Sequence, residues 1–171
     1  MAHAHHKAQA KEPVCAWVLT CSDSRTTETD ESGRLICDLL AKDGHKVLGY
    51  DLVRDDPQAM RAALEQAVRD RRTQVVITNG GTGIAPRDST YEVVAGMLEK
   101  RIDGFGELFR ALSFREIGSA AMMSRAVAGV AAGGVVLVAV PGSRAAVRLA
   151  MEELILPEIR HMAWLLKRPP H

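Results

Sequence analysis

The chain has 171 residues, 22 Lys and Arg against 21 Asp and Glu, and 47% hydrophobic residues. That length supports one domain with its own core, while a net charge of +1 gives no field for a polyanion, so a nucleic-acid role is not expected. Cys15, Cys21 and Cys37 include no C-x-x-C pair, and no run suits a secretory core or a bilayer span, so neither a disulfide framework, a zinc site nor a membrane is expected and the cytoplasm is the expected setting.

Residues 1–12, with His3, His5 and His6 in a polar lead-in, read as a disordered tail, and residues 13–168 as one α/β domain. Val14 to Leu19 is a short apolar run that ends in Thr20-Cys21-Ser22-Asp23-Ser24, the pattern of a strand buried on both faces followed by a polar loop. Thr29 then caps a helix striped by Leu35, Ile36, Leu39 and Leu40 and stopped by Gly44. A second strand runs from Val47 to Val53, and Asp56 with Pro57 opens a second helix striped by Met60, Leu64, Ala67 and Val68.

Val75 to Ile77 is the third strand, and a loop from Thr78 to Asp88 leads to Ser89 and Glu92, spaced as a capping box ahead of a helix carrying Val94, Met97 and Leu98. Ile102 to Gly118 holds Phe105, Phe109 and Phe114, which either fill the core or form an interface. Ala126 to Val130 and Val135 to Val140 flank Gly133-Gly134 as a hairpin, and Ser143 caps a last helix that breaks at Pro157 and resumes. Strands alternating with helices predict a three-layer α/β/α sandwich with a mostly parallel mixed sheet, whose βα loops emerge at one carboxyl edge.

Chemistry concentrates in those loops. Gly80-Gly81-Thr82-Gly83 can bend sharply and offer bare N–H groups to an anion, and Arg87-Asp88 adds a cation and a carboxylate. A Walker A loop is excluded because Ile84 follows Gly83, and the dinucleotide fingerprint because Pro86 stands where its last Gly belongs. The first loop offers Ser22, Asp23, Ser24 and Arg25, and the second Arg54, Asp55 and Asp56, the last reading as a helix cap; Pro141-Gly142-Ser143 adds a helix start. Carboxylates, guanidiniums and glycine amides at one edge suit a ligand with phosphates and Mg²⁺. No His lies in these loops, so a Ser-His-Asp hydrolase has no support, and Cys21 reads as a small buried residue.

Thr20-Cys21-Ser22-Asp23, Gly80 to Thr90, Gly104-Phe105-Gly106-Glu107, Ser124-Arg125 and Pro141-Gly142-Ser143 resemble, in that order, the signature stretches of MoaB/MogA-type molybdenum cofactor biosynthesis proteins, the molybdopterin-binding family. The resemblance implies the molybdopterin-binding fold, a homo-trimer or homo-hexamer, binding of molybdopterin, and, in catalytic members, Mg²⁺- and ATP-dependent adenylylation of the pterin's terminal phosphate with release of pyrophosphate. It implies Asp55 and Asp88 as catalytic and Mg²⁺-holding residues. The ligand positions implied are Ser22, Asp23, Gly80, Gly81, Thr82, Gly83, Arg87, Glu107, Ser124, Arg125, Pro141, Gly142 and Ser143. Asn79, Asp103, Tyr91 and Arg144 depart from the residues common at their motif positions. Two other readings stand beside adenylylation: a molybdopterin-binding or scaffold protein of the same pathway, with other pathway proteins as partners, and a nucleotide pyrophosphatase, whose usual second domain this length does not hold.

Overall fold

The computed structural model describes residues 10–167. His3, His5, His6 and His171, with the first nine residues of the expected tail, lie outside them. Ala10 is buried and Glu12 forms an ion pair with Lys167.

Six strands form one sheet: β1 (Cys15–Cys21), β2 (Lys46–Val53), β3 (Val75–Asn79), β4 (Leu98–Arg101), β5 (Val127–Ala131) and β6 (Val135–Val140). Their order across the sheet is β2-β1-β3-β6-β5-β4. The pairs β1–β2, β1–β3 and β3–β6 are parallel, and β5 runs antiparallel to both β6 and β4. Five strands therefore share one direction, and the hairpin through Gly133-Gly134 turns only β5 against them. The mostly parallel mixed sheet is as the alternation of elements predicts.

Helices cover both faces. One carries α1 (Glu31–Lys42), α4 (Asp103–Ile117), α5 (Arg144–Leu149) and α6 (Leu156–Leu166), through Ile36, Leu40, Phe109, Val147, Met151 and Ile159 against Val18, Val75, Ile77 and Val138. The other carries α2 (Pro57–Arg69) and α3 (Thr90–Gly96), through Met60, Leu64 and Val94 against Leu19, Val76 and Leu137. Val75, Val76 and Ile77 alternate between the two cores, because successive strand side chains point to opposite faces. A central strand buried on both sides has no polar face to offer, which is why β6 and the first three residues of β3 read as unbroken apolar runs.

Four local expectations are corrected. The α1 cap is Asp30, whose side chain accepts from the Gly33 N–H at 3.1 Å, while Thr29 closes the preceding turn with Thr26. Ser89 makes no cap bond, and Glu92 reaches Arg125 instead of the α3 N-terminus. The helix there ends at Gly96, and Leu98, read as part of it, opens the edge strand β4 (Leu98–Arg101). The chain does not break at Pro157: a π-helical turn (Ala150–Ile155) joins α5 to α6, and Pro157 sits in the first turn of α6, where its missing N–H costs least. Phe105 and Phe109 are core residues, whereas Phe114 is 62% exposed and takes no part in the core.

Candidate functional site: a glycine-lined carboxyl edge

Because β1, β2, β3 and β6 run parallel, the segments after them emerge at one edge. β2 and β1 deliver Asp55 and Asp23 to an open cleft of ≈ 540 Å³ lined by Asp23, Val53, Arg54, Asp55, Asp56, Ala59 and Arg87. Asp56 accepts the Ala59 N–H at 2.7 Å, so it is the α2 cap that its position before Pro57 predicts.

Of the two carboxylates expected to be critical, Asp55 lines this cleft, and Asp88 is near enough for its charge to act on Asp55. Asp55 donates its N–H to Asp23 Oδ1 at 3.3 Å, and Arg87 Nη2 lies 2.6 Å from Asp23 Oδ2. Asp55 Oδ1 is buried without a hydrogen-bond partner. Burial first, then the charges of Asp23 and Asp88, push the Asp55 pKa up, against a smaller opposing pull from the hydrogen bond with Asp23 and from Arg87. Asp88 folds back within its own loop, where Oδ2 accepts the Ala85 N–H at 3.1 Å and stands 2.5 Å from where a Cβ on Gly83 would lie.

Between these carboxylates runs the glycine loop. Gly81 has φ 61°, and a Cβ there would stand 2.3 Å from Thr90 Oγ1 and 2.7 Å from Asp55 Oδ1, so only glycine fits. The loop is tied at its ends, by Gly80 N–H to the Val140 carbonyl at 3.1 Å and by Thr90 N–H to the Gly81 carbonyl at 2.9 Å. None of the N–H groups of Gly81, Thr82, Gly83 and Ile84 donates to an acceptor among the described residues. Four successive amides without a protein acceptor leave donors free for anionic oxygen.

β6 supplies the adjoining wall. Gly142 touches the glycine loop so closely that a Cβ on it would lie 2.9 Å from Gly80 Cα. Ser143 caps α5 by accepting the Ala146 N–H at 3.2 Å. The Gly142 carbonyl accepts from Arg25 Nη2 at 3.0 Å and from Ser32 Oγ at 2.8 Å. Arg25 is in turn paired with Asp30 at 3.0 Å. Asp30 is fully buried; burial opposes its ionisation, but hydrogen bonds from Thr20, Tyr50, the Gly33 N–H and Arg25 outweigh it and hold its pKa below the ordinary value. Tyr50 donates to Asp30 Oδ2 at 2.6 Å, and Asn79 Nδ2 donates to Thr20 Oγ1 at 2.7 Å. Arg25 is therefore committed to Asp30 and Gly142, whereas Arg87 faces the cleft.

Arg125, at the start of β5, lies against the glycine loop, with Nε 2.8 Å from the Thr82 carbonyl and Nη2 2.6 Å from that of Gly83. Ser124 precedes it, closing the turn before β5 through its N–H to the Ala121 carbonyl. Glu107 is not with the carboxylate pair: it lines a separate cleft of ≈ 210 Å³ with Tyr91, Arg101, Asp103 and Arg110. Cys21 is buried beside Thr90, and its burial pushes the thiol up to about 12, which leaves no thiolate at neutral pH.

Asp30, Tyr50, Thr20, Asn79 and Thr90 support the site, and the sequence alone assigns none of them a role. The available signal was two polar residues, Thr20 and Asn79, near the ends of mostly apolar strands, which the register of β1 and β3 sets side by side. Among the described residues no group of three or more His, Cys, Asp or Glu converges as a ready-made metal site. Magnesium needs fewer protein ligands, commonly one or two carboxylates completed by water and phosphate oxygens. Asp55, whose Oδ1 has no partner, and Asp88 match that number of carboxylates.

Fold and site together define a three-layer α/β protein with an anion-ready glycine loop at the carboxyl edge of its sheet. The family model described as the probable molybdopterin binding domain matches residues 17–161, and the chain belongs to that family. It is 48% identical over 169 residues to the molybdenum cofactor biosynthesis protein B of Bacillus cereus, covering 98% of this chain and 99% of that one. A crystal structure of a molybdenum cofactor biosynthesis protein B superposes with a TM-score of 0.89 at 48% identity, over 92% of this chain and 98% of the other. The tungsten cofactor synthesizing protein MoaB from Pyrococcus furiosus superposes with a TM-score of 0.83 at 35% identity, over 92% and 99%. Among the described residues no helix is long and apolar enough to cross a membrane.

Proposed function

We propose that this chain acts in molybdenum cofactor biosynthesis in the cytoplasm, binding molybdopterin and transferring the adenylyl group of ATP to its terminal phosphate. The observation that carries the reading is the run of four unpaired amides, Gly81 to Ile84, beside Asp55 and Asp88. A phosphate oxygen of the pterin bonds to the α-phosphorus of ATP as the bond to pyrophosphate breaks. That oxygen is already anionic at neutral pH, so alignment and charge neutralisation suffice and no general base is required. The absence of His from these loops is consistent with such chemistry.

In this reading the Gly81 to Ile84 amides and the Gly142-Ser143 turn seat phosphate and pterin, and Arg87 offsets charge from the mouth of the cleft. Asp55 and Asp88 would hold Mg²⁺, whose contribution when bound is to neutralise phosphate oxygens that the carboxylates alone would repel. Relatives named molybdenum cofactor biosynthesis protein B support the pathway. Assembly as a trimer or hexamer follows from the family resemblance and is supported by exposed Leu108, Phe114, Ile117 and Met122 on and just after α4.

A second reading, binding or scaffolding without transfer, is favoured by Asp55 itself, since a carboxyl with one oxygen buried and its pKa raised is a poorer cation ligand. Purified protein is incubated with molybdopterin, ATP and MgCl₂ and the products are read by mass spectrometry. Adenylylated pterin that disappears in Asp88→Asn with pterin binding retained supports transfer; pterin binding with no adenylylated product from the wild type selects the second reading.

A further inference from the structure

Arg125 was expected among the ligand-binding residues, yet all three of its guanidinium nitrogens bond within the protein. Nε and Nη2 donate to the carbonyls of Thr82 and Gly83, at 2.8 and 2.6 Å. Nη1 forms an ion pair with Glu92 Oε1, and Nη2 also lies 3.3 Å from Glu92 Oε2. The guanidinium carbon sits 4.9 Å from the centre of the Tyr91 ring, and the Tyr91 hydroxyl accepts from Arg101 Nη2 at 3.1 Å. Only 26% of the Arg125 side chain is exposed.

The two carbonyls it grips belong to the peptide units whose N–H groups are those of Gly83 and Ile84. All peptide bonds among the described residues are trans, and in a trans peptide the N–H points opposite to the C=O. Gripping both oxygens from one side therefore turns both N–H groups to the other side, where they have no protein acceptor among the described residues. The carbonyls themselves, which would repel an anion, are masked by the cation.

We infer that Arg125 is a positioning residue: held by Glu92 and Tyr91, it grips the Thr82 and Gly83 carbonyls and so aims the Gly83 and Ile84 amides at the ligand's phosphate. The inference rests on the phosphate-binding role given to this loop above and adds how the loop keeps its shape. A planar guanidinium can hold two carbonyls and a carboxylate at once; an ammonium, a point charge on a flexible stem, cannot reproduce that fork.

The test uses the full chain as wild type, Arg125→Lys, Arg125→Gln and Glu92→Gln. Two quantities are read: hydrogen exchange in peptides covering residues 80–88, and calorimetric binding of ATP in the presence of MgCl₂. Loss of the two carbonyl bonds is expected to speed exchange about tenfold at the hydrogen-bonded amides of that segment, those of Gly80, Ala85 and Asp88, with exchange elsewhere and the melting temperature little changed. ATP affinity is expected to fall by about the same factor in Arg125→Lys as in Arg125→Gln. Glu92→Gln, which keeps the two carbonyl bonds, is expected to give an intermediate effect.

Loop exchange that does not change, or that rises evenly through the whole chain, overturns the inference. So does an Arg125→Lys protein that keeps wild-type affinity while Arg125→Gln loses it, since that marks a cation acting directly on phosphate. Should the wild type bind no ATP, the proposed adenylyl transfer fails by itself, and the exchange measurement still decides whether Arg125 holds the loop.

Discussion

Replacing Gly81 by Ala tests whether the glycine loop is a rigid cradle. Two costs add. The first is conformational: with φ 61°, an L side chain in the left-handed region costs about 1–2 kcal/mol. The second is steric: the new Cβ would stand 2.3 Å from Thr90 Oγ1 and 2.7 Å from Asp55 Oδ1, and overpacking of this kind typically costs about 1–3 kcal/mol. Gly133, in the β5–β6 turn, separates the two. It has φ 75°, and a Cβ there would meet nothing within 4 Å, so Gly133→Ala incurs the first cost alone.

Urea unfolding of both variants should give a loss of about 1–2 kcal/mol for Gly133→Ala and about 3 kcal/mol for Gly81→Ala. In a chain of this size the latter corresponds to a fall of about 6–12 °C in melting temperature. Equal losses would refute the reasoning. They would mean that Thr90 and Asp55 move aside freely and that the loop is not held against them.

Asp55→Asn should raise the urea midpoint at pH 7, because the folded pKa is raised by burial and by Asp23 and Asp88, so the ionised carboxylate costs stability that the amide does not; the same variant should lose adenylyl transfer, and a lowered midpoint would contradict the assignment. Asp30→Asn should cost about 2–4 kcal/mol in the same assay, since it removes the partner of a half-buried Arg25, and a loss below about 1 kcal/mol would show that the network is slack. His45, buried with Nδ1 accepting the Val14 N–H at 3.0 Å, has its pKa lowered from 6.5 by burial first and then by Arg160. Its folded pKa thus lies below its unfolded one, so its contribution is complete above about pH 6.5 and is lost as pH falls through the folded value. The urea midpoint should drop between pH 7 and 5, and His45→Gln should flatten that drop; an equally steep drop in the variant would locate the effect elsewhere.

The parallel strands and their loops were legible because their signals are local: an apolar run, then glycines, carboxylates and a cap. β4 was not, since Met97 and Leu98 prolong the helical stripe and Leu98–Arg101 is only four residues with three of them exposed. Topology alone puts Asp55 and Asp88 at the same sheet edge, since both lie in loops that follow parallel strands, and the family resemblance singles out the two. Nothing in the sequence around Asp30 announces its burial; the network that holds it links Arg25 to the Gly142 carbonyl, 117 residues away. Arg125 suffered the same limit. Its type and motif place it at the loop, and only its distances to the Thr82 and Gly83 carbonyls reveal which side of the loop it serves.

β4 also shapes how copies of the molecule can meet. A sheet's outermost strand presents backbone donors and acceptors that a foreign strand can borrow. Here that strand reads Leu98-Glu99-Lys100-Arg101, with its three charged residues exposed. A neighbour laying its own ladder alongside would have to desolvate consecutive ions of mixed sign, so sheet extension is disfavoured there. Growth by edge-to-edge β pairing is thereby discouraged at β4.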